Sequence, residues 1–318
     1  GLLASSILFA RPAQSALEAK LKKTQKTLPL MGTLVSITVM DGSRDKATQA
    51  QEKAFSRIRE LISIFDRHQS ESPLSFLNTH GYLRDVHPEL LTVLKRSDEY
   101  YRLSQGSFDV TILPLLERNK RLYSTGFSST SSSFNPEKRT HVKNIGSKYL
   151  QYSSREVSFS KQGMQISLDG IAKGYIIDQA IYCLKEQGID HAMVEAGGDI
   201  RTISGSNGET AWKVGITDPW NREDFIQVLQ LENSAIATSG NYERFFDQAR
   251  QHHHLIDSQT GDSPAHTASC TVTAPTALEA DALSTALFIK PPQQSLTLAN
   301  GLAHIEASLI TPRNNIYS

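Results

Sequence analysis

Between residues 163 and 274 the chain runs through six short segments suited to extended backbone: GMQISL, HAMVEA, AWKVGI, IQVLQL, SAIATS and ASCTVTA. Helical patterns lie among and after them, near Ile171–Glu186 and Ala277–Phe288. Strands of mixed length interleaved with helices, with no internal repeat at solenoid spacing, predict an α+β fold. Upstream, Pro29 to Val39 contains LMGTLVSITV, alternating and β-branched, which reads as a strand entered through a glycine turn. Asp45 to Phe65 then carries Ala54, Phe55, Ile58, Leu61, Ile62 and Phe65 at threes and fours, one buried helical stripe. A further helix is predicted over His87 to Ser104.

The 318 residues, 39% of them hydrophobic, are enough for one large domain or two modest ones. Lys+Arg and Asp+Glu are 33 each, and no long basic run argues for nucleic acid as a partner, so a charged ligand must be recognised locally. The two cysteines lack metal-site spacing; Cys183 and Cys270 read as buried thiols, with a disulfide between them as the alternative. The opening GLLASSILFARPAQSALEA matches the later part of a secretory signal and is too short to span a bilayer. This predicts an exported protein with a leader remnant over 1–27 and one domain over 28–318. Within 123–136 the Ser/Thr-rich stretch GFSSTSSSFN has no periodicity and reads as an insertion.

Four constellations carry candidate chemistry. In TALEADALSTALF, Thr276 and Glu279 form a capping-box pattern that starts a helix, and Asp281, Ser284 and Thr285 follow at i, i+3 and i+4. A carboxylate and two hydroxyls suit a hard cation such as Mg2+, although on spacing alone an ordinary polar helix face is the commoner reading. In SLDGIAKGYIIDQA, Gly170 and Gly174 bracket a helix start that favours an anion, with Lys173 to add charge; the P-loop order is absent. In VEAGGDIRTISG, Gly197 and Gly198 form a tight turn or leave room for a nucleotide beside the backbone. In HHHLIDSQTG, strand alternation sends His252 and His254 to one face and His253 to the other, which argues against a three-histidine zinc site. His254 at the strand end, with Asp257 nearby, suits acid–base work as well as it suits a satisfied structural histidine.

Seven segments in order resemble the ApbE family of flavin transferases: SPLSFLN, SQGSFDVTILPLL, GIAKGYIID, EAGGDI, TSGNYERFF, HLIDSQTG and EADALSTALF. The resemblance covers nearly the whole chain after about Leu28. It implies an α+β fold, T-fold-related, of mixed sheets with packed helices. It also implies an enzyme that takes FAD with Mg2+, or Mn2+ in its place, and passes FMN to a threonine or serine hydroxyl of an acceptor flavoprotein, releasing AMP. Residue by residue, Asp281 and Thr285 match metal-ligating positions, Ser284 one that is Asp in some members, and Gly170 a carbonyl donor to the metal. Met31, Ser107, Phe108, Asp109, Lys173 and Leu255 match positions lining the FAD. His254 matches a histidine implicated in the chemistry, with Asp257 as a neighbour that orients it.

The chain departs from the family pattern at three places. Ser167-Leu168-Asp169-Gly170 stands where many members read Asp-Leu-Gly-Gly, so a flavin-contacting carboxylate is absent or displaced by two residues. His68 stands near a common flavin-stacking tyrosine, and Asp257-Ser258 replaces Asp-Pro. The resemblance implies acceptors among the subunits of membrane-linked electron-transfer complexes, at the periplasmic or outer face of the bacterial inner membrane. Two alternatives use the same site: a metal-dependent FAD pyrophosphatase giving FMN and AMP, and a flavin-binding maturation protein without turnover.

Overall fold

A computed structural model describes residues 21–124, 140, 142–204 and 211–318. The leader-like residues 1–20 and the body of the Ser/Thr-rich stretch, 125–136, lie outside the described residues. The segment around Gly32 is the turn of a hairpin, not the entry to a single strand: β1 (Lys22–Leu30) and β2 (Thr33–Asp41) pair antiparallel from Lys22↔Asp41 to Leu30↔Thr33. Met31 and Gly32 between them take φ of 54° and 70°, as in the two-residue turns whose twist matches antiparallel strands. The folded domain therefore reaches back at least to Lys22, ahead of the boundary at 27.

The other strands are β3 (Tyr82–Arg84), β4 (Leu150–Tyr152), β5 (Glu156–Phe159), β6 (Ala192–Ala196), β7 (Asp199–Ile203), β8 (Trp212–Thr217), β9 (Phe225–Leu231), β10 (Ala235–Gly240), β11 (Ser269–Ala274), β12 (Glu306–Ile310) and β13 (Ile316–Tyr317). The helices are α1 (Arg44–Phe65), α2 (Pro73–His80), α3 (Pro88–Leu103), α4 (Leu113–Ser124), α5 (Ala172–Glu186), α6 (Ala277–Ile289) and α7 (Pro292–Asn300). One sheet has eight strands in the order β1-β2-β6-β7-β10-β11-β12-β13, with every pairing antiparallel. A three-stranded sheet, β3-β5-β4, and the β8-β9 ribbon stand apart from it. The predicted α+β class is the one observed.

Three helices cover the large sheet: α1 packs on β2, α5 on β6 and β7, and α6 on β10 and β11. The stripe read in α1 is buried except at Ile62, which is half-exposed, and Ser43 caps the helix by accepting from the Lys46 amide. It meets Val35, Ile37 and Val39 of β2, all fully buried. Gln51, buried in α1, donates to the carbonyls of Thr24 at 3.1 Å and Ile37 at 2.9 Å, tying the polar strand β1 to the core. Thr276 accepts from the Glu279 amide as the capping pattern predicts.

GMQISL is not a strand. Gly163 belongs to a turn with φ of 78°, and the partners of the rest lie outside any ladder: the Ile166 amide donates to Asn78 Oδ1 at 2.7 Å, Asn78 Nδ2 donates to the Ile166 carbonyl at 2.9 Å, and the Ser167 amide donates to Val110 O. One asparagine side chain thus replaces the neighbouring strand. Both cysteines are free thiols, so the disulfide alternative falls; Cys270 is buried in β11, whereas Cys183 is only half-buried.

Helices α5 and α6 cross at Gly174, where an added Cβ would stand 2.3 Å from the Ala277 carbonyl oxygen. The crossing is tied by an exchange of carboxylates. Asp178 of α5 accepts from the Ala277 and Leu278 amides at 2.9 Å each, capping α6, while Asp281 of α6 accepts from the Gly174 amide at 3.0 Å. Because the obstruction is backbone rather than a mobile side chain, Gly174→Ala is expected to cost about 3 kcal/mol of stability. Urea unfolding followed by circular dichroism measures this, and an unchanged midpoint would show that the crossing tolerates a wider separation.

Candidate active site

The crossing of α5 and α6 forms the floor of a cavity of about 1660 Å³. Asp281 and Thr285, one turn apart on α6, face it. Gly170, just before α5, lies against them: an added Cβ would stand 3.0 Å from Thr285 Oγ1 and 3.5 Å from the Phe108 ring. The place beside that hydroxyl is open only because residue 170 has no side chain. Ile171 at the start of α5 offers no capping side chain; the Gly174 amide in the first turn is taken by Asp281.

Ser284 departs from the expected set. It does not line the cavity; its hydroxyl meets Ser239 Oγ at 2.8 Å and donates to the Asp281 carbonyl. Successive helix positions are about 100° apart, so Asp281 and Thr285 share a direction that Ser284 misses. Ser239 of β10, which the sequence reading did not single out, lines the cavity and also reaches Thr285 Oγ1 at 3.3 Å.

Met31, His68, Ser107, Phe108, Asp109, Ser167, Lys173 and Leu255 all line the same cavity. Met31 holds its positive φ at the hairpin turn, a conformation non-glycine residues take rarely. Asp109 Oδ1 accepts from the Thr111 amide, the Thr111 hydroxyl and Ser147, and burial pushes its carboxyl up to about 6 against those bonds. Lys173 places its ammonium 2.9 Å from Asp199 Oδ2. Gly197 and Gly198 take φ of 57° and 93° in the turn joining β6 to β7, and both also line the cavity. The displaced carboxylate, Asp169, is in the cavity and pairs with Arg67 at 3.3 Å.

The three histidines have three environments. His252 stacks on Tyr123 with centroids 3.5 Å apart and bonds Asp247, while His253 is buried against Phe288 and bonds the Pro264 carbonyl. His254 lines the cavity. Its Nδ1 is 3.3 Å from the Arg244 carbonyl, an atom that only accepts, so Nδ1 carries the proton and Nε2 keeps its lone pair. Burial, then the Arg244 cation, push its pKa down to about 4, opposed by that carbonyl and by Asp169. Asp257 does not orient it. The Asp257 carboxylate accepts from the Gln259 amide and the Thr260 hydroxyl and shapes the following turn, away from the cavity. Ser258, standing where the family pattern has proline, donates to the Gly106 carbonyl at 2.8 Å.

A cavity that joins the 31–34 turn, the Gly170–Gly174 helix start, the 238–244 segment, His254 and the α6 ligand face gathers all the resembling segments except SPLSFLN. The sequence model of the ApbE family matches residues 31–309. The chain belongs to the ApbE family. Its relatives include the FAD:protein FMN transferase of Treponema pallidum, 26% identical over 94% of this chain and 87% of that one. The protein of the same name from Escherichia coli K12 is 25% identical over 92% and 87%. The crystal structure of the ApbE protein from Thermotoga maritima superposes with a TM-score of 0.81 at 28% identity, covering 93% of this chain and 96% of that one. The ApbE family is thus a family of transferase enzymes, and the fold here is an ApbE fold.

Among the described residues no three His, Cys, Asp or Glu side chains gather as a metal cluster. A cation in this ApbE-family cavity would rest on one carboxylate, Asp281, with the Thr285 hydroxyl and the Gly170 carbonyl, an all-oxygen set that fits a hard divalent ion. Residues that sequence reading missed make the far wall: Lys213 on β8, Arg222 after it, and Tyr242, Glu243 and Arg244 after β10. Arg222 bonds Glu243 at 2.7 Å and lies over the Tyr242 ring. For His254 the expected outcome is an imidazole that stays neutral and Nδ1-protonated from pH 8 down to about 5, titrating near 4. Histidine side-chain NMR reads both: a midpoint near the ordinary value would refute the burial argument, and a proton on Nε2 at neutral pH would refute the tautomer argument.

Proposed function

We propose that this protein transfers FMN from FAD to a threonine or serine hydroxyl of an acceptor flavoprotein, with Mg2+ (or Mn2+) and release of AMP. The observation that carries the reading is the meeting in one cavity of the His254 Nε2 lone pair with the Asp281, Thr285 and Gly170 oxygens. The names of the relatives, FAD:protein FMN transferase, support the same reading.

The Lys173 ammonium, whose side chain is partly open to the cavity, favours the FAD diphosphate at the cavity floor. Met31, Phe108 and Leu255 offer apolar surface to the flavin or adenine half. A divalent cation held by Asp281, Thr285 and Gly170 would neutralise phosphate oxygens as the AMP half leaves. The acceptor oxygen forms a bond to the flavin-side phosphorus, the bond from that phosphorus to the oxygen of AMP breaks, and His254 Nε2 takes the hydroxyl proton. Asp169, held by Arg67, takes the place of the carboxylate missing at Ser167. We also assign the protein to the outer face of the inner membrane, acting on subunits of membrane-linked electron-transfer complexes, on the strength of the signal-like composition of its first residues. No helix among the described residues is long and apolar enough to cross a membrane.

Purified protein mixed with FAD, Mg2+ and a threonine-bearing acceptor domain is expected to release AMP and add an FMN-sized mass to the acceptor. His254→Ala and Asp281→Ala should each slow this by about 10²-fold or more. AMP and free FMN without mass gain would favour the pyrophosphatase, and bound FAD with no AMP would leave a non-catalytic binding protein.

A further inference from the structure

Strand alternation on β7 turns Asp199 and Arg201 to one face, and both meet α5: Asp199 pairs with Lys173 at 2.9 Å, and Arg201 Nε approaches Asp178 at 3.6 Å. Asp199 is 2% exposed, whereas the Lys173 side chain keeps 28% of its surface open to the cavity. Asp281 lies beside this pair, bonded to the amide of Gly174, the residue after Lys173. Burial and the Asp199 charge push the Asp281 carboxyl above the usual range, while the Lys173 ammonium draws it down. One partly buried lysine therefore stands near two buried carboxylates, and the ion pair it makes is with Asp199.

We propose that Asp199 is a positioning residue that holds the Lys173 ammonium off Asp281 and so keeps that carboxylate free for a divalent cation. An ammonium that has lost its partner beside a buried carboxylate is drawn to it, since opposite charges attract more strongly there than in water. Without Asp199, that carboxylate is Asp281, and lysine and cation compete for it. The inference rests on the cation site of the proposed function.

The test is Mn2+ binding to FAD-free protein, by calorimetry or electron paramagnetic resonance, across wild type, Asp199→Asn, Lys173→Met and the double variant. FMN transfer is assayed separately, so a protein that shows this Mn2+ pattern without transferring FMN sinks the transferase reading alone. If Asp199 acts through Lys173, Asp199→Asn weakens Mn2+ binding about tenfold or more with Lys173 present and less than about threefold in the Lys173→Met background. An equal loss in both backgrounds means that the Asp199 charge acts on the cation directly and overturns the proposal. So does no loss in either, or wild-type protein that binds no Mn2+. Should Asp199→Asn alone not fold, Lys173→Met against the double variant decides: a difference under threefold supports positioning, and about tenfold overturns it.

Discussion

The exchange of carboxylates between α5 and α6 is the constraint on which the rest of the molecule depends. Asp178 accepts from two amides at the start of α6, and Asp281 accepts from one amide in the first turn of α5, across a contact only glycine permits. Each carboxylate is buried, and burial raises its proton affinity above the ordinary range, a shift that the amide donors and a nearby cation, Arg201 for Asp178 and Lys173 for Asp281, only partly offset. Buried carboxyl groups are tolerated only when their hydrogen-bond geometry is kept, which locks the helix start to the ligand helix. The cavity floor inherits that precision.

Around the floor, the sheet delivers the remaining groups. The antiparallel order sets β7 between β6 and β10, so Asp199 and Ser239 reach the same cavity from adjacent strands, one at Lys173 and the other at Thr285. The turns at Met31–Gly32 and Gly197–Gly198, both with positive φ, bring backbone close to the rim; an added Cβ at Gly197 would meet Thr33 Oγ1 at 2.8 Å. His254 acquires its tautomer from a backbone carbonyl, so its chemistry is set by chain geometry and not by a second acid.

What could be read from the sequence was whatever is local. The α1 stripe, the Thr276 cap and the ends of α3 at His87 and Ser104 follow from neighbours within one turn, and the structure keeps them. Strand β1 escaped notice because KKTQKTLPL has no apolar alternation; Gln51 and the pairing with β2 hold it. GMQISL had the composition of a strand, and Asn78, 88 residues away from Ile166, decided otherwise. Asp199 was missed because its partner lies 26 residues earlier in the chain, although an acidic residue at the head of a buried strand was a signal to ask what pairs with it. Asp257 was given an orienting role on proximity in sequence, and its carboxylate belongs to its own turn.

The two sides of the cavity are held by bonds of different kinds. On the α5 side the ion pairs are largely buried, whereas the β8-β9 ribbon, seated on Ile236 through Val214, Ile216 and Leu231, meets the 241–244 segment through Arg222 and Glu243, whose side chains are 62% and 49% exposed. Exposed pairs of this sort hold weakly and lose further strength as mobile ions crowd in, over a screening distance of about 8 Å at physiological ionic strength. Brine thus slackens a polar tie at the rim while the apolar seat beneath the ribbon and the ion pairs at the floor stay as they were, so the medium reaches the lip of the cavity and not its base.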